Sequence, residues 1–286
     1  PRINAAGRMG EPRCAVELLL ATDDMSARKY AEKLDDENRE RQETEISILE
    51  EALEMIENTP SFQDDYVLVL AHENWHHGII GIVASKISER FNKPCILIST
   101  DKEAGKGSGR SIRSFNLFKA LEFCQDTLLK FGGHDLAAGL SIAPDKIEHF
   151  REKINQYAKK SLTEEDFVPL LYIDSELPPQ YINMNTAERL SILEPYGMGN
   201  SSPVFFAKNL TVMQVRSLSE GKHLKLSLRF GEFCVEAVGF NIGHLFKEIK
   251  TKDLVDIAFN LDINVYKGMR QLQVLLKDIK FSVTNR

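Results

Sequence analysis

The sequence predicts an α/β domain followed by an all-β barrel, with a long helix at the amino end. Three observations carry this reading. Residues 23–58 contain neither Gly nor Pro and are dominated by good helix formers. Tyr66–Ala71 and Cys95–Ser99 are continuous apolar runs on either side of a helical stretch, Ile79–Phe91, which is the order of a βαβ unit. From Phe205 onward the pattern changes to strands separated by turn residues.

Composition sets the frame. A chain of 286 residues suits two domains, and 43% hydrophobic with 27% charged residues is globular rather than disordered. No apolar run is long enough to span a bilayer and no signal peptide is present, which points to the cytoplasm. Cys14, Cys95, Cys124 and Cys234 form no CxxC pair and no zinc spacing, as expected of idle thiols in a reducing compartment. The net charge of -6 is unevenly placed. Residues 23–57 carry 13 acids and five bases. Residues 85–113 carry seven bases and three acids, and residues 208–229 five bases and one acid. One acidic arm therefore offsets two basic regions that suit a polyanion.

In chain order, Pro1–Arg8 opens without Met and reads as part of a longer protein. Arg2 and Arg8 flank small residues, and either reach a phosphate or are ordinary surface arginines. Residues 13–20 form a short helix. Thr22 or Asp23 caps the long one. Its middle, Asp35–Thr44, lacks an apolar stripe and reads as a strut bridging two bodies through solvent. After the first strand, Trp75, His76 and His77 stand where ligands of βαβ units collect. Adjacent histidines are not spaced as helical metal ligands, so substrate contact through Trp75 and His76, or packing of Trp75, is expected.

Gly105–Ser111 and Phe131–Gly139 read as two glycine-rich turns bracketing an amphipathic helix. That helix starts at Asn116 and buries Leu117, Ala120, Leu121, Cys124, Leu128 and Leu129. The first turn offers Ser108, Arg110 and Ser111, and the second His134 with open backbone at Gly132 and Gly133. Free N–H groups form nests for phosphate, and a guanidinium grips two of its oxygens. The alternative is a pair of ordinary turns. A strand, Ala138–Ile142, and a helix, 145–160, follow, then a polar linker, Ser161–Asp166. Residues 185–193 are helical. Strands are expected at Phe205–Leu218, His223–Phe230 and Phe233–Phe240, a helix at Ile242–Ile249, and strands at Leu254–Tyr266 and Gln271–Phe281, the last two joined at Lys267-Gly268. Three strands, a helix and two strands is the order of an OB-fold barrel. Leu224, Leu226 and Leu228 alternate with Lys225, Ser227 and Arg229, giving a core face and a basic face. Such a face binds single strands, or the barrel is purely structural.

Five motifs together resemble the carboxy-terminal part of the RecJ-type single-strand DNA exonucleases of the DHH phosphoesterase superfamily. Pro1–Arg8 matches "PRINAAGR". Trp75–Ser85 matches "WHxGVIGIVASR", with an isoleucine for its first valine and Lys86 for its arginine as mild departures. Gly107–Ser111 matches "GSxRS", and Gly132–Gly139 matches the "GGHxxAAG" of DHHA1 domains. Pro195–Asn200 is similar to "PFGxGNP", with Tyr196 and Ser201 departing. The resemblance implies a DHH remnant over 1–22, a connecting helix over 23–59, a DHHA1 domain over 60–160 and an OB-fold domain over 161–286. It implies a 5′-to-3′ exonuclease acting on single-stranded DNA in repair and recombination. Its two divalent ions, Mn²⁺ or Mg²⁺, would be held mainly by a DHH domain whose Asp-His-His does not occur here. No metal is expected in this chain, which alone would be inactive. Ser108 and Arg110 would form a terminal-phosphate pocket closed by Arg2 or Arg8. His134, with Gly132 and Gly133, would contact the phosphate near the metals. Lys222, Lys225 and Arg229 would guide the strand. A single-strand-binding protein and a helicase are implied partners, and no membrane. The alternatives are a phosphodiesterase acting on short oligonucleotides or cyclic dinucleotides, and a non-catalytic nucleic-acid-binding or protein-interaction module.

Overall fold

Asp23 begins the long helix by accepting the Ser26 N–H on its carboxylate at 2.8 Å. The computed structural model describes residues 1–282 apart from 102, 198 and 267. It divides into two units, residues 1–169 and 170 onward.

The first unit opens with α1 (Arg2–Met9), α2 (Arg13–Leu20) and the 35-residue α3 (Asp24–Asn58). At that length α3 is about 52 Å long. Its first half packs Leu34 against Ala6, Cys14 and Ala15. Its second half packs Ile48, Ala52 and Ile56 against the sheet side of the unit. Its two halves thus pack on two separate clusters, and both lie in the first unit. Just past the middle, buried Glu45 accepts from Arg41 and from Lys86 of the next helix.

The sheet has the order β1-β2-β3-β5-β4. The strands are β1 (Leu68–His72), β2 (Cys95–Thr100), β3 (Gly105–Arg110), β4 (Leu128–His134) and β5 (Ala137–Ile142). Only β1 and β2 are parallel. Between them runs α4 (Ile80–Phe91), which with α3 covers one face. On the other face lie α5 (Leu117–Phe123) and α6 (Ile147–Ser161).

Both glycine-rich turns are corrected: Gly105–Arg110 is a strand, and Phe131–Gly139 is the end of one strand and the start of the next, with the turn only at Asp135 and Leu136. In β3, a Cβ at Gly107 would come within 2.7 Å of Leu140, and one at Gly109 within 2.8 Å of Leu117. The bulky neighbours occupy the space that side chains of β3 would take, so glycine here permits sheet packing. The bracketed helix is shorter than expected. It ends at Phe123, so Leu128 and Leu129 belong to β4, and Leu129 is exposed. The expected linker is ordered on this unit: Leu162 is buried, Thr163 and Asp166 form a capping box, and Phe167 packs edge-on to Tyr66.

The second unit starts with β6 (Ser175–Glu176), which pairs in parallel with β7 and carries no period-two signal of its own in the sequence. After α7 (Met184–Leu190) come β7 (Phe205–Leu218), β8 (His223–Phe230), β9 (Phe233–Gly239), β10 (Leu254–Tyr266) and β11 (Met269–Phe281). The order β7-β8-β9-β11-β10 closes through a β10–β7 pairing into a five-stranded barrel, the expected OB-like architecture. The helix expected over Ile242–Ile249 is a shorter 3-10 turn, Gly243–Lys247. Leu224, Leu226 and Leu228 are fully buried among Val212, Val255, Phe259 and Val274.

Candidate anion-binding cleft

Alternation along β3 sends Gly107 and Gly109 into the core and Ser108 and Arg110 to the opposite face, toward α4. There they line a cleft of about 330 Å³ with Arg8, His77, Gly78, Gly81, Ile82 and Ser85. The Arg110 guanidinium donates to Ser108 Oγ at 3.2 Å and to the Gly109 carbonyl at 2.7 Å. No carboxylate pairs with Arg110 or Arg8 among the described residues. Burial first, and the charge of Arg8 second, lower the proton affinity of Arg110. Two cations gathered without an acid leave a site whose electrostatics favour an incoming anion.

Arg8 reaches the cleft because the C-terminal end of α1 rests on Gly78. A Cβ there would lie 2.3 Å from the Arg8 carbonyl oxygen. His76 Nδ1 accepts the Gly78 N–H at 3.1 Å and its ring stacks on His77. Burial, then the charge of His77, lower the proton affinity of His76.

The β3–β5–β4 register extends the site. Ser108, Gly139 and Gly132 form one row, and Arg110, Ala137 and His134 the next. Residues across a row share a face, so His134 lies two strands from Arg110, roughly 10 Å between Cα atoms. A Cβ at Gly132 would meet nothing within 4 Å, and one at Gly139 only the Gly107 carbonyl at 3.8 Å. Internal packing does not demand glycine at either position, which leaves an open floor beside the cationic cleft. Gly133 is different: its φ is +150 and a Cβ would strike the Ala137 carbonyl at 2.5 Å, so backbone geometry requires glycine there. The hairpin carrying His134 is pinned by Asn116, which donates to Asp135 at 2.8 Å.

Three expected site residues stand elsewhere. Trp75 is only 3% exposed, and its Nε1 donates to Glu51 of α3 at 2.9 Å. An indole so enclosed is packing that fixes the 75–78 loop, not a stacking surface for substrate. Arg2 pairs with Asp35 on another side of α1, away from the cleft. Ser111 donates to the Phe115 carbonyl and serves the loop. Of the cleft residues, His77 was singled out by its place after the first strand, whereas Gly78, Gly81, Ile82 and Ser85 were missed. These lie within the Trp75–Ser85 motif, and that motif was their only signal.

On the barrel, Lys225 and Arg229 project outward from β8 as alternation requires. Lys225 pairs with Glu236 at 3.1 Å, whereas Arg229 is exposed. Lys222 is not in this row. It sits in the turn before β8 and its carbonyl accepts from Gly243. Phe230 and Phe233, partners in the β8–β9 register, are exposed at the end of this hairpin.

The α/β unit and barrel define a DHHA1 domain joined to an OB domain. The DHHA1 domain model matches residues 64–160 and the RecJ OB domain model residues 173–278. Over nearly its whole length the chain is similar to part of the RecJ proteins. It is 36% identical over 285 residues to the single-stranded-DNA-specific exonuclease RecJ of Bacillus subtilis, a match covering 99% of this chain and 36% of that protein. With the Escherichia coli RecJ it shares 34% identity over 289 residues, covering 98% of this chain and 50% of that protein. The crystal structure of Thermus thermophilus RecJ in complex with Mg²⁺ superposes with a TM-score of 0.81 at 31% identity, over 98% of this chain and 42% of that one. The Mn²⁺ complex of the same protein gives the same TM-score. The chain thus spans half or less of these relatives. Among the described residues no group of three or more His, Cys, Asp or Glu is placed to hold a metal ion. No described helix is long and apolar enough to cross a membrane.

Proposed function

We propose that this chain is the substrate-binding half of a RecJ-like 5′-to-3′ single-stranded-DNA exonuclease of DNA repair and recombination. The observation that carries the reading is the meeting of Arg8, Ser108 and Arg110 in one cleft without a carboxylate. A terminal phosphate has more charge and more free oxygens than an internal diester, and suits two guanidiniums and a hydroxyl. Gly132 and Gly139 give the following nucleotides a floor without side chains, with His134 at its end. Lys225 and Arg229 guide the strand on the barrel. This basic face favours a strand over a dinucleotide, which needs no guiding module. Two divalent ions, Mn²⁺ or Mg²⁺, belong to the cleaving half of such an enzyme. This chain binds and orients the strand, and by itself does not cut. The reading places the protein in the cytoplasm. A helicase supplying unwound DNA and a single-strand-binding protein coating it are the partners it implies.

The test compares binding of 5′-phosphorylated, 5′-hydroxyl and 3′-phosphorylated strands of one sequence. The first is expected to bind most tightly. Arg110→Lys keeps the charge but loses the planar fork. It is expected to reduce the preference by about tenfold or more, since hydrogen bonds to charged groups contribute roughly 1.5–3 kcal/mol. Equal binding of all three strands would overturn the phosphate pocket.

A further inference from the structure

Gly81 is the second residue of α4 and lines the cleft. A Cβ built on it would lie 2.8 Å from Ser108 Oγ, 3.1 Å from Arg110 Nη2 and 3.6 Å from Ser108 Cβ. The three nearest atoms thus belong to the two side chains of the phosphate pocket. The backbone of Gly81 is not in the left-handed region, so its conformation does not call for glycine. Nor does helix formation, for which alanine is the better residue. The N–H of Gly81 has no acceptor among the described residues, while those of Ile80, Ile82 and Val83 bond to His76 or Ile79.

We infer that Gly81 is a positioning residue for phosphate recognition: its missing side chain lets Ser108 and Arg110 stand against the first turn of α4. With Arg8 opposite, the guanidinium fork, the hydroxyl and the free amide then converge on one anion. A methyl group at this position displaces Ser108 Oγ and the Arg110 fork. Both are movable side-chain ends, so the fold absorbs the change and the pocket does not. The inference rests on the phosphate-pocket reading above.

The experiment uses the chain as it stands and measures the binding ratio of 5′-phosphorylated to 5′-hydroxyl single strands, with thermal unfolding alongside. Gly81→Ala is expected to lower the ratio about tenfold, equivalent to about 1.4 kcal/mol, while Tm is unchanged or raised. In an Arg110→Lys background, Gly81→Ala is expected to change the ratio little further, because both act through one group. If Arg110→Lys lowers the ratio and Gly81→Ala does not, the positioning role is wrong and the pocket stands. A Gly81→Ala protein that melts lower, fails to fold or weakens both strands equally assigns glycine to the fold and also overturns the inference. Should wild type show no preference, the pocket reading itself fails and takes this inference with it.

Discussion

Arg8 and Arg110 come from elements about a hundred positions apart and face one cleft, where burial first and Arg8 second raise the cost of the Arg110 charge. An anion between them relieves that repulsion. A 5′-phosphorylated oligonucleotide is therefore expected to raise Tm, with a stabilisation of about 2.7 kcal/mol at a hundredfold excess over Kd. Arg8→Met is expected to remove most of this shift and to leave the ligand-free Tm unchanged or slightly higher. A ligand-free Tm that falls in Arg8→Met would make Arg8 a structural residue.

The His76 ring ties the cleft to pH. Burial, then the charge of His77, hold its proton affinity below the ordinary value of 6.5, against an opposing effect of Glu40. A base whose folded value is depressed contributes stability that is full above the unfolded value and is lost as pH falls through the folded one. Protonation at Nδ1 also removes the acceptor of the Gly78 N–H, on which α1 rests. Stability is thus expected to fall as pH drops below 6.5. His76→Gln is expected to flatten that part of the profile, as followed by urea midpoints across pH. An identical profile in the variant counts against the role of His76.

On the barrel the two outward bases are unequal. Lys225 already has Glu236 at 3.1 Å, while Arg229 stands exposed. Arg229→Glu is expected to weaken single-strand binding more than Lys225→Glu. Removing one cation from a phosphate flattens the salt dependence by about 0.7 in the log–log slope. Salt titrations on both variants measure this, and unchanged slopes would make the barrel face structural.

Asn155 of α6 holds the entry to β1. Its Oδ1 accepts the Tyr66 and Val67 N–H groups at 2.8 and 2.9 Å, and its Nδ2 donates to the Val67 carbonyl at 3.0 Å. Removing the amide strands buried backbone groups, each costing about 1–3 kcal/mol. Asn155→Ala is expected to destabilise the first unit by roughly 2–5 kcal/mol in urea unfolding, with single-strand binding by the barrel retained. A change below about 1 kcal/mol, within the range of ordinary surface changes, would show that water replaces the amide.

Legibility followed one rule: patterns set by water and local chain geometry were readable, and patterns set by a distant neighbour were not. β7 and β8 end where alternation placed them, because one face of each must be dry. α3 runs unbroken because nothing in it stops a helix. The segment Gly105–Arg110 was misread because glycine marks turns locally. Its strand character comes from Ile98, Leu117 and Leu140, which fill the side of β3 that glycine leaves empty. Whether Trp75 packs or meets substrate stayed open in the sequence for a similar reason, since its hydrogen-bond acceptor, Glu51, lies on α3.

Ser108 and Arg110 stand together in one glycine-rich segment of the sequence, which by itself determined the long helix and the inward and outward faces of the barrel. Helix and faces follow from helix and strand periodicity, which each segment carries within itself. Only the tertiary structure decided which arginine of α1 joins Ser108 and Arg110. Arg2 and Arg8 are six residues apart, about 240° around a helix of 3.6 residues per turn, so they cannot face one cleft together. Packing of Ala5 and Ala6 against α3, and of the Arg8 carbonyl on Gly78, turns Arg8 inward and leaves Arg2 to Asp35.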